Sequence, residues 1–239
     1  ATCERQDRPG RDDPLRYPPG MFTGLVQHLG RIESRSPTPS GASLWVSLEA
    51  WDHRPDPGAS ISVAGCCLTV ADRRPAGERI EAVRFDVVPQ TLERTTIGRL
   101  DVGDRVNLEP SATPATLLGG HLVQGHVDEV GRVLSIATEG EWRVRIGVGA
   151  SFAPLLVPRG SIAVEGVSLT IAELGREWFE VALIPETLER TTLGDLKAGD
   201  GVNLEGDCIA KMVVRVLETR VGGDLRGAVD AIGRNASPD

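Results

Sequence analysis

The strongest constraint on the fold is a sequence pattern that occurs twice, about 100 residues apart. Residues 91–109 and 187–205 are identical at 14 of 19 positions. An earlier block, 63–70, recurs at 164–171, so the first copy carries about five extra residues, which we expect in the turn around 73–79. This is a tandem duplication. A chain of 239 residues with such a repeat predicts two domains of one fold, each long enough to close its own core.

Both copies show the pattern of short strands separated by glycine and proline. Residues 44–48, for example, alternate between apolar and polar side chains, which is typical of a half-buried strand. We predict strands at 22–33, 44–48, 60–70, 80–88 and 105–109, and in the second copy at 121–132, 141–148, 161–171, 178–184 and 201–205. Pro89 and Pro185 each suit the first position of a short helical turn. The pattern indicates an all-β protein with an antiparallel barrel or sandwich in each half.

One segment after the second copy departs from the strand pattern. Its apolar side chains recur at the spacing of one helical face, and they are Ile209, Met212, Val213, Val216 and Leu217. The first copy has no counterpart of this helix. It could pack on its own barrel, or it could join subunits of an oligomer. We favour the oligomer helix, because two closed domains leave little apolar surface that needs a cover.

Composition excludes several classes of function. The net charge is −8 with no basic stripe, which excludes a nucleic-acid binder. The longest weakly polar run, 59–71, is shorter than the roughly 20 residues of a membrane span. Cys3, Cys66, Cys67 and Cys208 lack the spacing of a zinc site or a disulfide framework. We therefore expect a reduced, cytoplasmic protein without a metal.

Alignment of the two copies shows positions at which they carry different reactive side chains. Leu25 in the first copy stands in the place of His126, and Ser168 in the second copy stands in the place of Cys67. The first copy then has a thiol without an imidazole, and the second has an imidazole and a hydroxyl. His126 is the leading acid–base candidate because imidazole changes charge near neutral pH. A structural histidine and a buried packing thiol remain alternatives.

Three other histidines attract less functional interest. Gly119 and Gly120 make a surface turn before His121, and His28 and His53 are isolated. We expect all three histidines at the surface.

The segments 21–24, 65–70, 119–128, 166–170 and 184–192 together resemble riboflavin synthases, in the same order and spacing. The resemblance covers about 21–217. It implies two six-stranded Greek-key β-barrels, a C-terminal helix and a homotrimer, with a site between barrels of neighbouring subunits. It implies dismutation of two molecules of 6,7-dimethyl-8-ribityllumazine to riboflavin and 5-amino-6-ribitylamino-uracil, without cofactor or metal. An association with lumazine synthase is a further expectation.

The resemblance also divides the chain and assigns residues. We expect a disordered extension at 1–20, barrels at 21–117 and 118–206, a helix at 207–220 and a disordered tail at 221–239. The implied catalytic residues are His126, Cys67, Ser60 and Thr170. The implied substrate contacts of the first barrel are Gly24, Leu25, Val26, Cys67, Leu68, Thr69, Asp86, Val87, Val88, Pro89, Gln90 and Thr91, with Gly125, His126 and Val127 beside them. Those of the second barrel are Arg159, Ser168, Leu169, Thr170, Ile184, Pro185, Glu186, Thr187, Leu188, Glu189 and Asp207.

Three positions depart from the family pattern. Arg159 replaces a lysine, which keeps the charge but changes its geometry. Gln90 replaces a glutamate, which removes a negative charge at that contact, and Glu165 replaces an aspartate.

Two rival functions are compatible with the fold. One is a non-catalytic lumazine- or flavin-binding protein, but such relatives lose the histidine-bearing stretch and the second cysteine, which this chain keeps. The other is an FAD-dependent reductase barrel, which would need a nucleotide-binding domain larger than the 22 residues after Leu217.

Overall fold

A computed structural model describes residues 20–221. The predicted disordered segments, 1–20 and 221–239, fall almost wholly outside these residues. The described chain contains twelve strands and three α-helices. The first copy forms β1 His28–Thr38, β2 Gly41–Ser47, β3 Ser60–Val63, β4 Cys66–Ala76, β5 Arg79–Val87, α1 Pro89–Arg94 and β6 Arg105–Pro110. The second forms β7 Glu129–Ala137, β8 Trp142–Gly147, β9 Ser161–Val164, β10 Val167–Leu174, β11 Trp178–Leu183, α2 Pro185–Arg190 and β12 Gly201–Gly206, followed by α3 Cys208–Val221.

Each copy closes into a six-stranded antiparallel barrel. The order around the first barrel is β1-β2-β5-β4-β3-β6, and the second barrel repeats it as β7-β8-β11-β10-β9-β12. The predicted all-β class, the duplication and the Greek-key barrels are therefore confirmed. Closure leaves no unpaired sheet edge in either barrel.

The two cores consist mostly of valine, leucine and isoleucine, because only 4% of the chain is aromatic. One fully buried phenylalanine lies in each, Phe85 in the first barrel and Phe179 in the second. Trp51 and Phe152, at matching positions, are also buried in their respective cores. Each such side chain stabilises its barrel by about 1.5–3 kcal/mol.

The extra residues of the first copy lengthen a hairpin. β4 and β5 have 11 and 9 residues, whereas the matching β10 and β11 have 8 and 6. The expected turn around 73–79 is therefore mostly strand, and the turn itself is confined to Gly77 and Glu78. Arg74 connects the extension to β1 through an ion pair with Glu33, 2.5 Å long, and it also lies over the ring of Trp45 on β2.

The segments that open each copy are not strands, contrary to the prediction. β1 begins at His28 and β7 at Glu129, so 22–27 and 121–128 are largely irregular. They form one isolated bridge with each other, between the buried Phe22 and Val123, where Phe22 N donates to Val123 O at 2.7 Å, and His121 N donates to Thr23 O nearby. Gly24 and Gly125 then take the left-handed conformation, which interrupts any continuous ladder.

A symmetric set of hydrogen bonds joins the barrels along their approximate two-fold axis. Asn107 Nδ2 donates to Glu165 O at 2.9 Å, and Asn203 Nδ2 donates to Ala64 O at 2.8 Å. The amide oxygens accept across the interface as well, Asn203 Oδ1 from Thr96 N and Asn107 Oδ1 from Thr192 N. These buried bonds position the two barrels relative to each other.

The C-terminal helix is present, and its apolar face is uncovered. The side chains of Ile209, Met212, Val213, Val216 and Leu217 are between 40% and 62% exposed. The interpretation that this face packs on its own barrel is therefore wrong. No helix within residues 20–221 combines the length and apolar character needed to cross a membrane.

Candidate functional site

The opening segment of each copy crosses to the barrel of the other copy. Cys67 N, on β4 of the first barrel, donates to Gly125 O at 2.9 Å. In the matching contact, Ser168 N on β10 of the second barrel donates to Gly24 O at 2.8 Å. A side chain at Gly125 would place its Cβ 2.6 Å from Cys67 Cβ, so only glycine allows this close approach.

A buried carboxylate anchors each crossing segment at its base. Glu109, on β6, accepts from Thr23 N, Thr23 Oγ1 and Gly24 N at 2.7–2.9 Å. Glu205, on β12, accepts from the backbone amides of residues 124, 125 and 126 at 2.8–3.0 Å. Burial raises the pKa of both carboxyl groups, and these hydrogen bonds oppose the rise. Sequence reasoning missed both residues, although each copy keeps glutamate at the end of the same apolar strand.

The crossing brings His126 into a pocket of the first barrel with Cys67. This pocket measures about 400 Å3, and it is lined by Cys66, Cys67, Gln90, Thr91, Arg94, Thr95, Gly125, His126 and Val127. The alignment of the copies by itself gives the first copy a thiol without an imidazole, but the structure brings the imidazole of the second copy to that thiol. The chain crosses between barrels, so alignment of the copies assigns each residue to the wrong neighbour. In the matching place on the second barrel, Gly24 of the first copy packs against Ser168.

The two adjacent cysteines have different surroundings, as their opposite strand faces predict. Cys66 is buried in the core, and burial raises the pKa of its thiol to about 12. Cys67 is half-buried beside the pocket. Burial raises the pKa of the Cys67 thiol, a hydrogen bond with Ser60 opposes this, and the nearby Glu205 carboxylate adds to it. Cys67 is therefore a protonated thiol at neutral pH.

Several other predicted residues of the first barrel do not line this pocket, and their exposures differ. Leu68 and Val87 point into the barrel core, so only their backbone can reach a ligand. Thr69, Asp86, Val88 and Pro89 are exposed, and Asp86 pairs with Arg84. The helix α1 adds Gln90 and Arg94 to the pocket. In the second copy the matching residues, Glu186 and Arg190, form an ion pair of 2.6 Å, which neutral Gln90 cannot form with Arg94.

The predicted residues of the second barrel do not meet in one pocket of the chain. Asp207 lies with Ser161 and Ile209 in a cavity of about 460 Å3 beside α3. Ile184, Pro185 and Leu188 line a different cavity of about 430 Å3 with Trp142. The remaining predicted residues of the second barrel are exposed (Arg159, Thr170, Glu186, Glu189) or half-buried (Ser168, Leu169, Thr187). Gly24, Leu25 and Val26 are expected at the first barrel, but the structure places Gly24 against Ser168 and Val26 against the core of the second barrel. Thr170 does not line the pocket that holds Cys67 and His126.

His121 departs furthest from its predicted surface position. It is 7% exposed, and its Nδ1 lies at a hydrogen-bond distance of 2.7 Å from Ser168 Oγ. Burial lowers the pKa of His121, with the Asp207 carboxylate acting in the opposite direction. Its Nε2 is buried and has no hydrogen-bond partner within residues 20–221. The turn at 119–120 that suggested a surface position instead turns the chain inward.

The other two histidines are half-buried rather than at the surface. His28 stacks on Trp51 with ring centroids 5.3 Å apart, and His53 lies on the same indole at 4.9 Å. Burial lowers the pKa of both imidazoles.

Glu165 is a further buried carboxyl group, at the contact between the barrels. Its Oε1 accepts from Asn203 N at 2.6 Å and from Thr96 Oγ1 at 3.2 Å. Burial nevertheless raises its pKa to about 7. The first copy has Ala64 in this place, so the titratable group lies on one side of the two-fold axis only.

Comparison with known proteins agrees with this architecture. The lumazine binding domain family matches twice, at residues 23–111 and 124–207. The riboflavin synthase of Mycobacterium bovis is 43% identical over 203 residues, which covers 83% of this chain and 99% of that protein. The riboflavin synthase of Escherichia coli is 39% identical, covering 83% of this chain and 92% of that protein.

Solved structures of LumP have the same fold. LumP complexed with riboflavin superimposes with a TM-score of 0.67 at 29% identity, covering 77% of this chain and 98% of that one. LumP complexed with 6,7-dimethyl-8-(1'-D-ribityl) lumazine gives a TM-score of 0.65 at 28% identity, with the same coverage. With two lumazine-binding domains and relatives this similar over nearly their whole length, the chain belongs to the riboflavin synthase family.

Proposed function

We propose that this protein is a riboflavin synthase. It transfers a four-carbon unit from one molecule of 6,7-dimethyl-8-ribityllumazine to another, which makes it a transferase. The products are riboflavin and 5-amino-6-ribitylamino-uracil, and they contain all the atoms of the two substrate molecules. The relatives that carry the riboflavin synthase name support this activity, and so do the lumazine and riboflavin ligands of LumP.

The observation that carries the proposal is the joint position of Cys67 and His126 in one pocket. A protein that only binds lumazine needs neither a thiol nor an imidazole beside the ring. The positions of Cys67 and His126 depend on how the crossing segments are held. Each segment is anchored by a buried glutamate, Glu109 or Glu205, and packs closely on the other barrel at a glycine, Gly24 or Gly125. Such precise positioning of reactive side chains is typical of catalysis rather than of simple binding.

The side chains of the pocket suit the chemistry of a lumazine. Its C7 methyl group is acidic because the resulting carbanion delocalises into the ring. We assign His126 as the base that accepts this proton. Cys67, as a protonated thiol held by Ser60, is assigned as the hydrogen-bond donor to the ring, and the nearby Arg94 supplies positive charge for the delocalised anion.

The second substrate requires an equivalent place, which the second barrel provides with Ser168, Thr170 and Leu25. The two places belong to one chain but do not form one pocket. We infer that the first barrel of one subunit faces the second barrel of another, so residues 21–117 and 118–206 are the two substrate-binding units. The exposed apolar face of α3 joins three subunits in this arrangement. The three cysteines of the described chain are free, which suits a cytoplasmic protein.

The direct test is incubation of chelator-treated protein with 6,7-dimethyl-8-ribityllumazine alone, while the absorbance of riboflavin is followed. We expect riboflavin and 5-amino-6-ribitylamino-uracil in equal amounts, without added metal or redox cofactor. Binding of the lumazine without any riboflavin would instead establish the alternative, a non-catalytic lumazine- or flavin-binding protein.

A further inference from the structure

Helix α3 carries a lysine whose ammonium group reaches the segment that bears His126. Lys211 Nζ lies 2.7 Å from Asp128 Oδ2 and 3.9 Å from Glu205 Oε1. The side chain of Lys211 is 22% exposed and that of Glu205 is 3% exposed. Because these groups are largely shielded from water, their charges interact more strongly than those of an ordinary surface ion pair.

Both carboxylates that contact Lys211 tie residues 124–128 to strand β12. Glu205 accepts the backbone amides of Gln124, Gly125 and His126. Asp128 Oδ2 accepts from Gly206 N at 2.9 Å, at the end of the same strand. Hydrogen bonds to an ionised carboxylate are about twice as strong as neutral ones, so the charge state of Glu205 affects how firmly the His126 backbone is held.

The first copy contains the same anchor without the cation. Glu109 there accepts from Thr23 and Gly24, and no ion pair to Glu109 occurs among residues 20–221. Gln27 stands in the place of Asp128, and no helix follows β6 in the position of α3. Lys211 and Asp128 therefore belong to the second copy, whose crossing segment carries His126, and the first copy has no equivalent of either.

We propose that Lys211 is a positioning residue for His126: through Glu205 and Asp128 it couples helix α3 to the placement of the imidazole beside Cys67. The expected effect of Lys211 on turnover rests on the proposed function. Helix α3 then has a second role besides assembly, because it controls the geometry of the Cys67 and His126 pocket on the first barrel.

The charged and titratable groups that face Glu205 come from three elements. They are Lys211 from α3, Asp128 from the crossing segment, and Cys66 and Cys67 from β4. Burial raises the pKa of Glu205, whereas the Gln124 amide and Lys211 lower it and Asp128 raises it. Loss of Lys211 therefore raises this pKa further, and loss of the Asp128 charge lowers it. The two substitutions act in opposite directions.

The test is the pH dependence of kcat in the full chain for Lys211→Met and Asp128→Asn. For Lys211→Met we expect kcat to fall about tenfold with KM nearly unchanged, and the acidic limb of the profile to move to higher pH. Asp128→Asn should move that limb to lower pH. Lys211→Arg keeps the positive charge and should show the wild-type profile. Lys197→Met changes the other lysine of the chain, which is exposed, and should also leave the profile unchanged.

Amide hydrogen exchange of residues 121–128 supplies a readout that needs no activity. We expect faster exchange there in Lys211→Met, with the two barrel cores unchanged. Shifts of both acidic limbs in the same direction, or unchanged exchange at 121–128, would overturn the role of Lys211. If the wild-type protein makes no riboflavin, the proposed function fails, whereas the exchange result still decides whether Lys211 orders the segment.

Discussion

Substitution of the two adjacent cysteines separates catalysis from packing. Cys67→Ser replaces a half-buried thiol beside His126, and the new hydroxyl can keep the hydrogen bond to Ser60. We expect the free energy of unfolding to change by less than about 1 kcal/mol. Turnover should fall about 100-fold, because the C–O bond is shorter than the C–S bond and the serine hydroxyl then donates to the ring from a less favourable distance, and loss of one preorganised donor costs about this much.

Cys66→Ser is the matched control, because Cys66 borders the same pocket but is only 3% exposed, with its side chain on the opposite strand face. The new hydroxyl would lie in the apolar core, at a cost of about 1–3 kcal/mol. Asn203 Nδ2, 3.7 Å from the Cys66 sulfur, brings the cost toward the lower value. For a chain of this size each kcal/mol lowers Tm by about 2–4 °C, so we expect a loss of about 2–12 °C. Below that temperature kcat should stay within about twofold of wild type.

The assay is riboflavin formation at 25 °C together with thermal unfolding of each variant. Cys67→Ser should lose turnover and keep its Tm, whereas Cys66→Ser should lose Tm and keep its turnover. Equal losses of both quantities in the two variants would refute the assignment, since Cys67 would then act through packing alone.

Three further perturbations test other parts of the structure. Glu165 binds its proton more tightly in the folded state, with a pKa of about 7 against an ordinary 4.5, so its contribution to stability declines as the pH rises between these values. Glu165→Gln should remove about 3 kcal/mol of this pH dependence, and unfolding curves at pH 5 and pH 8 that keep the wild-type difference would contradict it. Gly125→Ala places a Cβ 2.6 Å from Cys67 at a φ of +73°, so we expect a lower Tm and a reduced kcat, and unchanged values of both would show that the crossing tolerates a side chain. Met212→Glu combined with Val216→Glu should dissociate the proposed trimer while Lys211 is kept, and a trimer that persists in sedimentation would exclude the apolar face of α3 as the interface.

The duplication, the all-β class and the C-terminal helix could be predicted from the sequence. Repeated blocks, period-two alternation and the 3.6-residue period are local signals, and they report which face of an element is buried. The opposite surroundings of Cys66 and Cys67 follow from the same rule, because successive side chains of a strand point to opposite faces.

The tertiary structure alone decided which residues meet. Residues 22–27 and 123–128 have no periodic pattern, and their positions depend on hydrogen bonds to carboxylates about 80 residues away in the chain. Alignment of the copies therefore separated Cys67 from His126, whereas the crossing between barrels unites them. The burial of His121 and the raised pKa of Glu165 have the same origin. Both depend on contacts between the two barrels, and the spacing of residues along one chain does not encode how two closed barrels face each other.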